Sequence, residues 1–215
     1  TGHNASDFPV ALADIDHIEV LEGAASRVFG TSAFNGAINI VTKKAKNDGV
    51  SASVEGGSFG SFGAQGRVQT AFETGKWTHA YSVSGGYKRS DGGTENSDFE
   101  KGQGYGNLSF SYDQRFDIIA QLGIASQSYG ANTFYSAKYN NQYEKTDHGL
   151  ASLNLSLHNQ EKTWEIAPQF YYNKFKDHYQ LIRGKAGAAA GENYHDLDVY
   201  GGGLNANVAW ALGKT

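Results

Sequence analysis

Three glycine-rich stretches and a scatter of histidines are the places where this 215-residue sequence could do chemistry. Gly56-Gly57-Ser58-Phe59-Gly60 fits the nucleophile elbow, which exposes a serine on a strained turn between a strand and a helix. No helical pattern follows it, and alternating residues stand on both sides, so it joins two strands. Gly213-Lys214-Thr215 ends like a phosphate-cradling loop, yet Val208 stands where the leading glycine is required. Gly102-Gln103-Gly104-Tyr105-Gly106 lacks the dinucleotide spacing. The seven histidines show no His-x-x-x-His or other ligand spacing, so neither a metal site nor a cofactor is assigned. Ser152 and His158 share a face but lie about 20 Å apart along one strand, beyond proton-transfer reach. The expectation is a protein that is not an enzyme.

The elements behind these residues explain why. There is no cysteine, hence no disulfide framework and no thiolate metal site. Mean hydropathy is low at −0.51 although aromatics reach 13%. Disordered chains lack aromatics; a sheet with one polar and one apolar face has this balance. A net charge of −4 gives no reason to expect nucleic acid as a partner. No apolar run approaches the ~20 residues of a membrane-spanning helix. With no initiating Met and no signal peptide, Thr1 reads as an internal residue of a longer product.

In order, Thr1 to Asp16 is a polar lead-in with an extended step at Phe8-Pro9. Ile18 to Leu21 predicts a strand broken at Gly23. Ala24 to Val28 predicts a short helix capped by Gly30, and Ile38 to Val41 a second strand. Lys43 to Gly49 is a charged linker. It divides the chain into residues 1–46 and 47–215.

From Val50 onward the alternation has period two. Val50/Ala52/Val54, Gly66/Val68/Thr70, Tyr81/Val83/Gly85, Leu108/Phe110/Tyr112, Phe116 to Ile124, Ala151 to Leu157, Trp164 to Tyr172, and Leu204 to Trp210 each face away from Ser, Asn, Gln and Arg neighbours. Pro168 should mark a bulge or a local gap in its ladder. That makes eight strands of roughly ten residues, whose connections after the first alternate short and long. Such strands with short turns at one end and long loops at the other describe a transmembrane β-barrel. All three tryptophans, Trp77, Trp164 and Trp210, lie at short-turn ends beside Phe72, Tyr112 and Phe116, as an interfacial girdle requires. A soluble sandwich would place them at mid-strand.

With the strands in place, Ile18 to Lys43 becomes recognisable. It resembles the end of the plug domain of TonB-dependent outer-membrane receptors. That pattern appears here as Ile18-Glu19-Val20-Leu21-Glu22-Gly23, Ala25-Ser26, Phe29-Gly30 and Gly36-Ala37-Ile38-Asn39-Ile40-Val41-Thr42-Lys43. Its signature positions are Leu21, Gly23, Ser26, Gly30, Gly36, Ile38, Asn39, Ile40 and Thr42. Ala24 replaces the usual Pro, and Glu22 stands where many members carry Arg, so an Arg ion pair with the barrel wall is not carried over. The resemblance implies an all-β transmembrane antiparallel β-barrel, the first eight of about 22 strands, preceded by the end of a small α/β plug domain. It also implies the outer membrane of a Gram-negative bacterium and energy-coupled import of a scarce, bulky nutrient: a corrinoid, haem or iron–siderophore complex. A loose overall likeness leans towards the corrinoid (vitamin B12) branch. Implied partners are the TonB complex, through a box preceding Thr1, the nutrient ligand, outer-membrane lipid and a surface lipoprotein that captures ligand.

Within that frame the ligand-binding candidates are His3 and Asn4 in an apical plug loop, and Phe134, Tyr135, Tyr139 and Tyr143 in the connection Tyr129 to His148. His178, Tyr179 and Arg183 in the connection Phe175 to Asp196 complete the set. Packing of loops against one another explains the aromatics equally well, and Tyr172 and Tyr179 also fit an outer aromatic girdle. The membrane-interface girdle is Trp77, Tyr112, Trp164 and Trp210. The alternative is a self-contained eight-stranded outer-membrane barrel with a structural or adhesive role, which requires its first and last strands to pair.

Overall fold

The computed structural model describes residues 8–23 and 36–209. Two sheets account for nearly all of them. Strands β1 (Ile15–Glu22) and β2 (Gly36–Thr42) form an antiparallel pair running from Ile15–Thr42 to Glu22–Gly36. The helix expected over Ala24 to Val28, with Ser26 and Gly30, lies outside the described residues, as do His3, Asn4 and Trp210.

The second sheet has eight strands: β3 (Gly49–Gly56), β4 (Phe62–Thr74), β5 (Trp77–Ser90), β6 (Phe99–Tyr112), β7 (Phe116–Gly130), β8 (Tyr143–His158), β9 (Trp164–Gln180) and β10 (Glu192–Val208). It is a meander in which every strand pairs antiparallel with its sequence neighbours, leaving β3 and β10 as edges. The sheet is open. The pairing of first and last strands that a closed eight-stranded barrel needs is absent among the described residues.

At one end the strands turn through residues 75–76, 113–115 and 159–163; at the other lie 57–61, of five residues, and the longer connections 91–98, 131–142 and 181–191. Gly75 takes φ 60° at the first central position of its two-residue hairpin, the conformation a type II′ turn demands there. Asp113 and Gln114 both adopt positive φ in the next turn. In the third, Asn159 Oδ1 accepts from the Thr163 and Trp164 amides at 2.8 and 3.2 Å. The elbow-like Gly56 to Gly60 joins β3 to β4, with Phe59 at φ 58° and Gly60 at φ 62°.

Burial is inverted relative to a water-soluble domain. Ser82, Ser84, Asn107 and Ser109 are buried, whereas Val83, Leu122, Ile124 and Leu204, on the other face, are 61 to 68% exposed. The apolar outer band runs from Trp77, Tyr112, Phe116 and Trp164 up to Leu122, Ala151, Tyr172 and Tyr200, which stand at one level through the register. Trp164 to Tyr172 is about nine residues, the span of a strand through hydrocarbon. Above that level the outer face becomes charged, with Lys174 reaching Asp198 at 2.7 Å. The strands themselves run 13 to 17 residues from β4 to β10. The expected length of ten therefore measured only the apolar span. Backbone ladders continue past it because cross-strand polar pairs serve as well as apolar ones.

Pro168 gives a gap and no bulge. Pairing of β8 with β9 stops at Asn154–Gln169 and resumes at Leu157–Ile166 in the same register. Proline has no amide hydrogen to lend to the ladder.

Candidate functional site

The polar face of the large sheet carries two buried carboxylates, each the centre of a cluster. The first is Asp14, at the end of the 3-10 turn Leu12–Asp14. It is 2% exposed. Its Oδ1 accepts from Arg67 Nε of β4 at 3.0 Å, and its Oδ2 accepts from Ser84 Oγ of β5. Its backbone carbonyl accepts from the Lys43 amide at 2.7 Å, tying the lead-in to the end of β2. Arg67 Nη2 is buried without a hydrogen-bond partner.

Thr42, the last signature residue, docks alongside. Its hydroxyl meets Gln121 Nε2 at 2.9 Å, Tyr105 OH at 3.1 Å and Asn107 Nδ2 at 3.3 Å. Ser152 Oγ extends this network by donating to Gln121 Oε1. Further along, Pro9 is fully buried over Gly123, where an added Cβ would lie 2.8 Å from the Pro9 carbonyl oxygen. Only a residue without a side chain lets the lead-in lie flat on the wall.

The second carboxylate is Glu144, at the long-connection end of β8, above the apolar band. It is 6% exposed. Tyr129 of β7 and Tyr135 of the following loop both donate their hydroxyls to Glu144 Oε2. Burial raises the Glu144 pKa, against the two phenol hydrogen bonds, and Asp177 adds to the rise. Burial also pushes both phenols well above the ordinary tyrosine range, reinforced by the Glu144 carboxylate. A cleft of about 700 Å³ opens here, lined by Tyr135, Glu144, Phe175, Asp177, Tyr179 and His195 among others. Tyr135 and Tyr179 meet edge to face at 5.3 Å. Tyr179 OH donates to Gln142 Oε1, and Gln142, fully buried, donates to the Tyr139 and Ser136 carbonyls. The loop is thus braced from within.

Strand alternation divides the expected ligand-binding residues between two faces. Tyr135 and Tyr179 meet in the cleft on the polar face. Tyr143 and His178 lie on the opposite face. There His178 stacks on Tyr194 at 4.3 Å and pairs with Glu192 at 2.8 Å. The Gly187 amide, then His178, hold the Glu192 carboxyl down to about 2. Tyr143, His178 and Tyr179 were expected in connections, yet belong to β8 and β9. Tyr172 faces outward as a girdle residue would, whereas Tyr179 does not. Phe134 and Tyr139 stay exposed on the loop, with Phe134 lining a second cleft of about 680 Å³.

Arg183 joins three connections. It grips Asp98 through two hydrogen bonds of 2.6 and 2.9 Å, stands 5.0 Å from the Tyr143 ring, and its amide donates to the Asn141 carbonyl. Its hydrogen bonds hold the Asp98 carboxyl below the ordinary aspartate value.

At the short-turn end, Trp77 packs on Tyr112 at 4.8 Å and Phe72 stacks on His79 at 4.7 Å, with Tyr81 and Phe110 joining the cluster. Trp164 shares the outward face. Leu21, Gly23, Gly36, Ile38, Asn39 and Ile40 occupy the β1–β2 hairpin, where Asn39 Nδ2 donates to Glu19 at 2.8 Å.

Sequence reasoning missed Asp14, Arg67, Tyr129, Glu144 and Asp177. Arg67 was the most visible, a lone cation among the Gln and Ser residues of the polar face. Glu144 and Asp177 were hidden by the assumption that alternation ends with the apolar band.

No protein-family model matches the sequence, and no curated protein matches it. Among solved structures, the fold matches the siderophore receptor PiuA of Acinetobacter baumannii with a TM-score of 0.71 at 15% identity. The match covers 94% of this chain and 33% of that one, so the chain spans about a third of the receptor's length. At this identity the likeness concerns the fold alone: an antiparallel meander arranged as part of a barrel wall.

Proposed function

We propose that the chain is part of a TonB-dependent outer-membrane receptor that imports a scarce, bulky nutrient without covalent chemistry. One observation carries this reading: a short hairpin bearing the plug-like signature docks through Thr42 and Asp14 on the polar face of a sheet whose other face is apolar. A wide barrel with a polar lumen leaks unless something fills it, and residues 1–46 are the part of the filler this chain holds. Residues 47–215 form the wall, with their apolar band in outer-membrane lipid and their long connections outside the cell.

The transported ligand is an iron–siderophore complex ahead of haem or a corrinoid. Support for that order comes from the siderophore receptor in the fold comparison. TonB supplies the work that moves the plug, and a surface lipoprotein delivering ligand to the long connections completes the partners.

The test is uptake of radio-iron siderophores and of labelled cobalamin and haem by cells carrying the full-length receptor, with and without TonB. Uptake of one ligand class that disappears without TonB is expected. Uptake of none, or uptake indifferent to TonB, overturns the reading.

A further inference from the structure

One imidazole of the cleft is held on one side and free on the other. Asp177 of β9 and His195 of β10 are cross-strand partners on the polar face. His195 Nδ1 donates to Asp177 Oδ2 at 2.9 Å, and the Asp177 side chain is 14% exposed against 65% for His195. A carboxylate accepts and does not donate, so the hydrogen sits on Nδ1 and the lone pair of the neutral ring is on Nε2. Nε2 has no hydrogen-bond partner among the described residues.

The register sets what surrounds it. Phe175 and Leu197 pair on one side of Asp177 and His195, and Tyr179 and Asn193 on the other, each pair about 7 Å along the strands. With Tyr135 these residues wall the cleft of about 700 Å³, which His195 also lines. That is the size and aromatic lining of a site for an organic ligand. Among the described residues no three His, Cys, Asp or Glu side chains are grouped so as to hold a metal ion. A single imidazole does not retain free iron. It can complete the coordination of iron that arrives already chelated, and a carboxylate behind Nδ1 is the usual support of such a ligand.

We propose that His195 coordinates, through Nε2, the iron of a transported chelate that leaves exchangeable positions, a tetradentate ferric siderophore complex. The Nε2 lone pair forms the new iron–nitrogen bond, and the water that held that position leaves. No proton or electron changes hands. Asp177 is a positioning residue, whose bond to Nδ1 fixes the ring and raises the basicity of Nε2. A hexadentate complex saturates its iron and meets only the walls of the cleft. This deepens the transport reading and rests on it.

The experiment uses the full-length receptor in outer-membrane vesicles and three probes: a tetradentate ferric bis-catecholate, a hexadentate ferric tris-catecholate, and haem. Binding should shift the visible charge-transfer band of the bis-catecholate and leave that of the tris-catecholate in place. His195→Ala should abolish the shift and weaken the bis-catecholate at least tenfold without changing the tris-catecholate, and added imidazole should restore the shift. Asp177→Asn should keep the shift but weaken the bis-catecholate by about tenfold. Lys145→Ala, on the opposite face, should change neither. Heat-modifiable electrophoretic mobility establishes that each variant is a folded barrel.

An unshifted band in the unaltered receptor, or a shift that survives His195→Ala, overturns the proposal and leaves transport intact. A His195-dependent change in the haem spectrum with none in that of the bis-catecholate overturns the chelate as the ligand class. Binding of none of the three, with TonB-dependent import of another nutrient, also overturns the proposal alone. Absence of any TonB-dependent import overturns both readings.

Discussion

Asp14 and Glu144 are both carboxylates buried on the polar face of one sheet, and they are compensated in opposite ways. Asp14 meets a guanidinium, a hydroxyl and the end of β2. Glu144 meets two phenols. The first arrangement is complete as it stands and fixes one element against another. The second is held by hydroxyls and ties β8 to β7 and to the following loop. A buried pair with its counter-ion joins segments far apart in the chain, and a buried carboxylate held by phenols braces a loop on the strands beside it.

Breaking the attachment should have the largest effect. Arg67→Ala leaves Asp14 buried and unpaired, and should weaken docking of the lead-in and hairpin by about 3–5 kcal/mol. Hydrogen exchange of β1 and β2 in the full-length receptor measures this directly. Replacing both partners with apolar residues, Arg67→Met with Asp14→Leu, should recover most of the loss. If the double variant is no better than the single, the charge pair is not what holds the segment.

Next in size is Gly123→Ala, which sets a methyl against Pro9 and should cost about 1–3 kcal/mol through overpacking. Faster exchange at residues 10–14 is the readout. Thr42→Val keeps the shape and removes the hydroxyl. A loss of about 1 kcal/mol is expected, because Gln121 and Tyr105 still bond each other at 2.8 Å.

The smallest effect sharpens the other end of the molecule. Arg183→Lys loses the two-point grip on Asp98, and both side chains are more than a third exposed, so less than ~1 kcal/mol is at stake. Its pH dependence is more telling. The Asp98 pKa is depressed in the folded loops, so the tie contributes fully above the ordinary aspartate value. It is lost as pH falls through the depressed value. Exchange in 91–98 and 181–191 should therefore accelerate on acidification, and do so at a higher pH in the lysine variant.

Much of the wall was legible because alternation of period two is the direct imprint of a two-faced sheet. Leu108 and Asn107 declare opposite faces whatever their neighbours do, so the eight strands, their order of turns and the shared face of Trp77 and Tyr112 followed from pattern alone. The hairpin was legible for another reason: its ordered glycines and Asn39-Ile40 match a known arrangement. Above the apolar band the outer face turns polar and the pattern loses its sign, which is why Tyr143, His178 and Tyr179 were read as loop residues. Their direction is set by the register inherited from below. Asp14 escaped notice because a carboxylate in a polar lead-in looks solvated until a guanidinium some fifty positions later is brought to it.

The interruption at Pro168 has a mechanical consequence. Across that step β8 and β9 are joined by side chains, Ser156 Oγ reaching Glu165 Oε1 at 2.6 Å, where the backbone ladder is absent. A hydrogen-bonded sheet is stiff along its ladders, so bending strain concentrates where a ladder is broken. The line through Leu155 and Pro168 is therefore a crease, placed halfway up the apolar band, along which the wall can change curvature without losing register on either side.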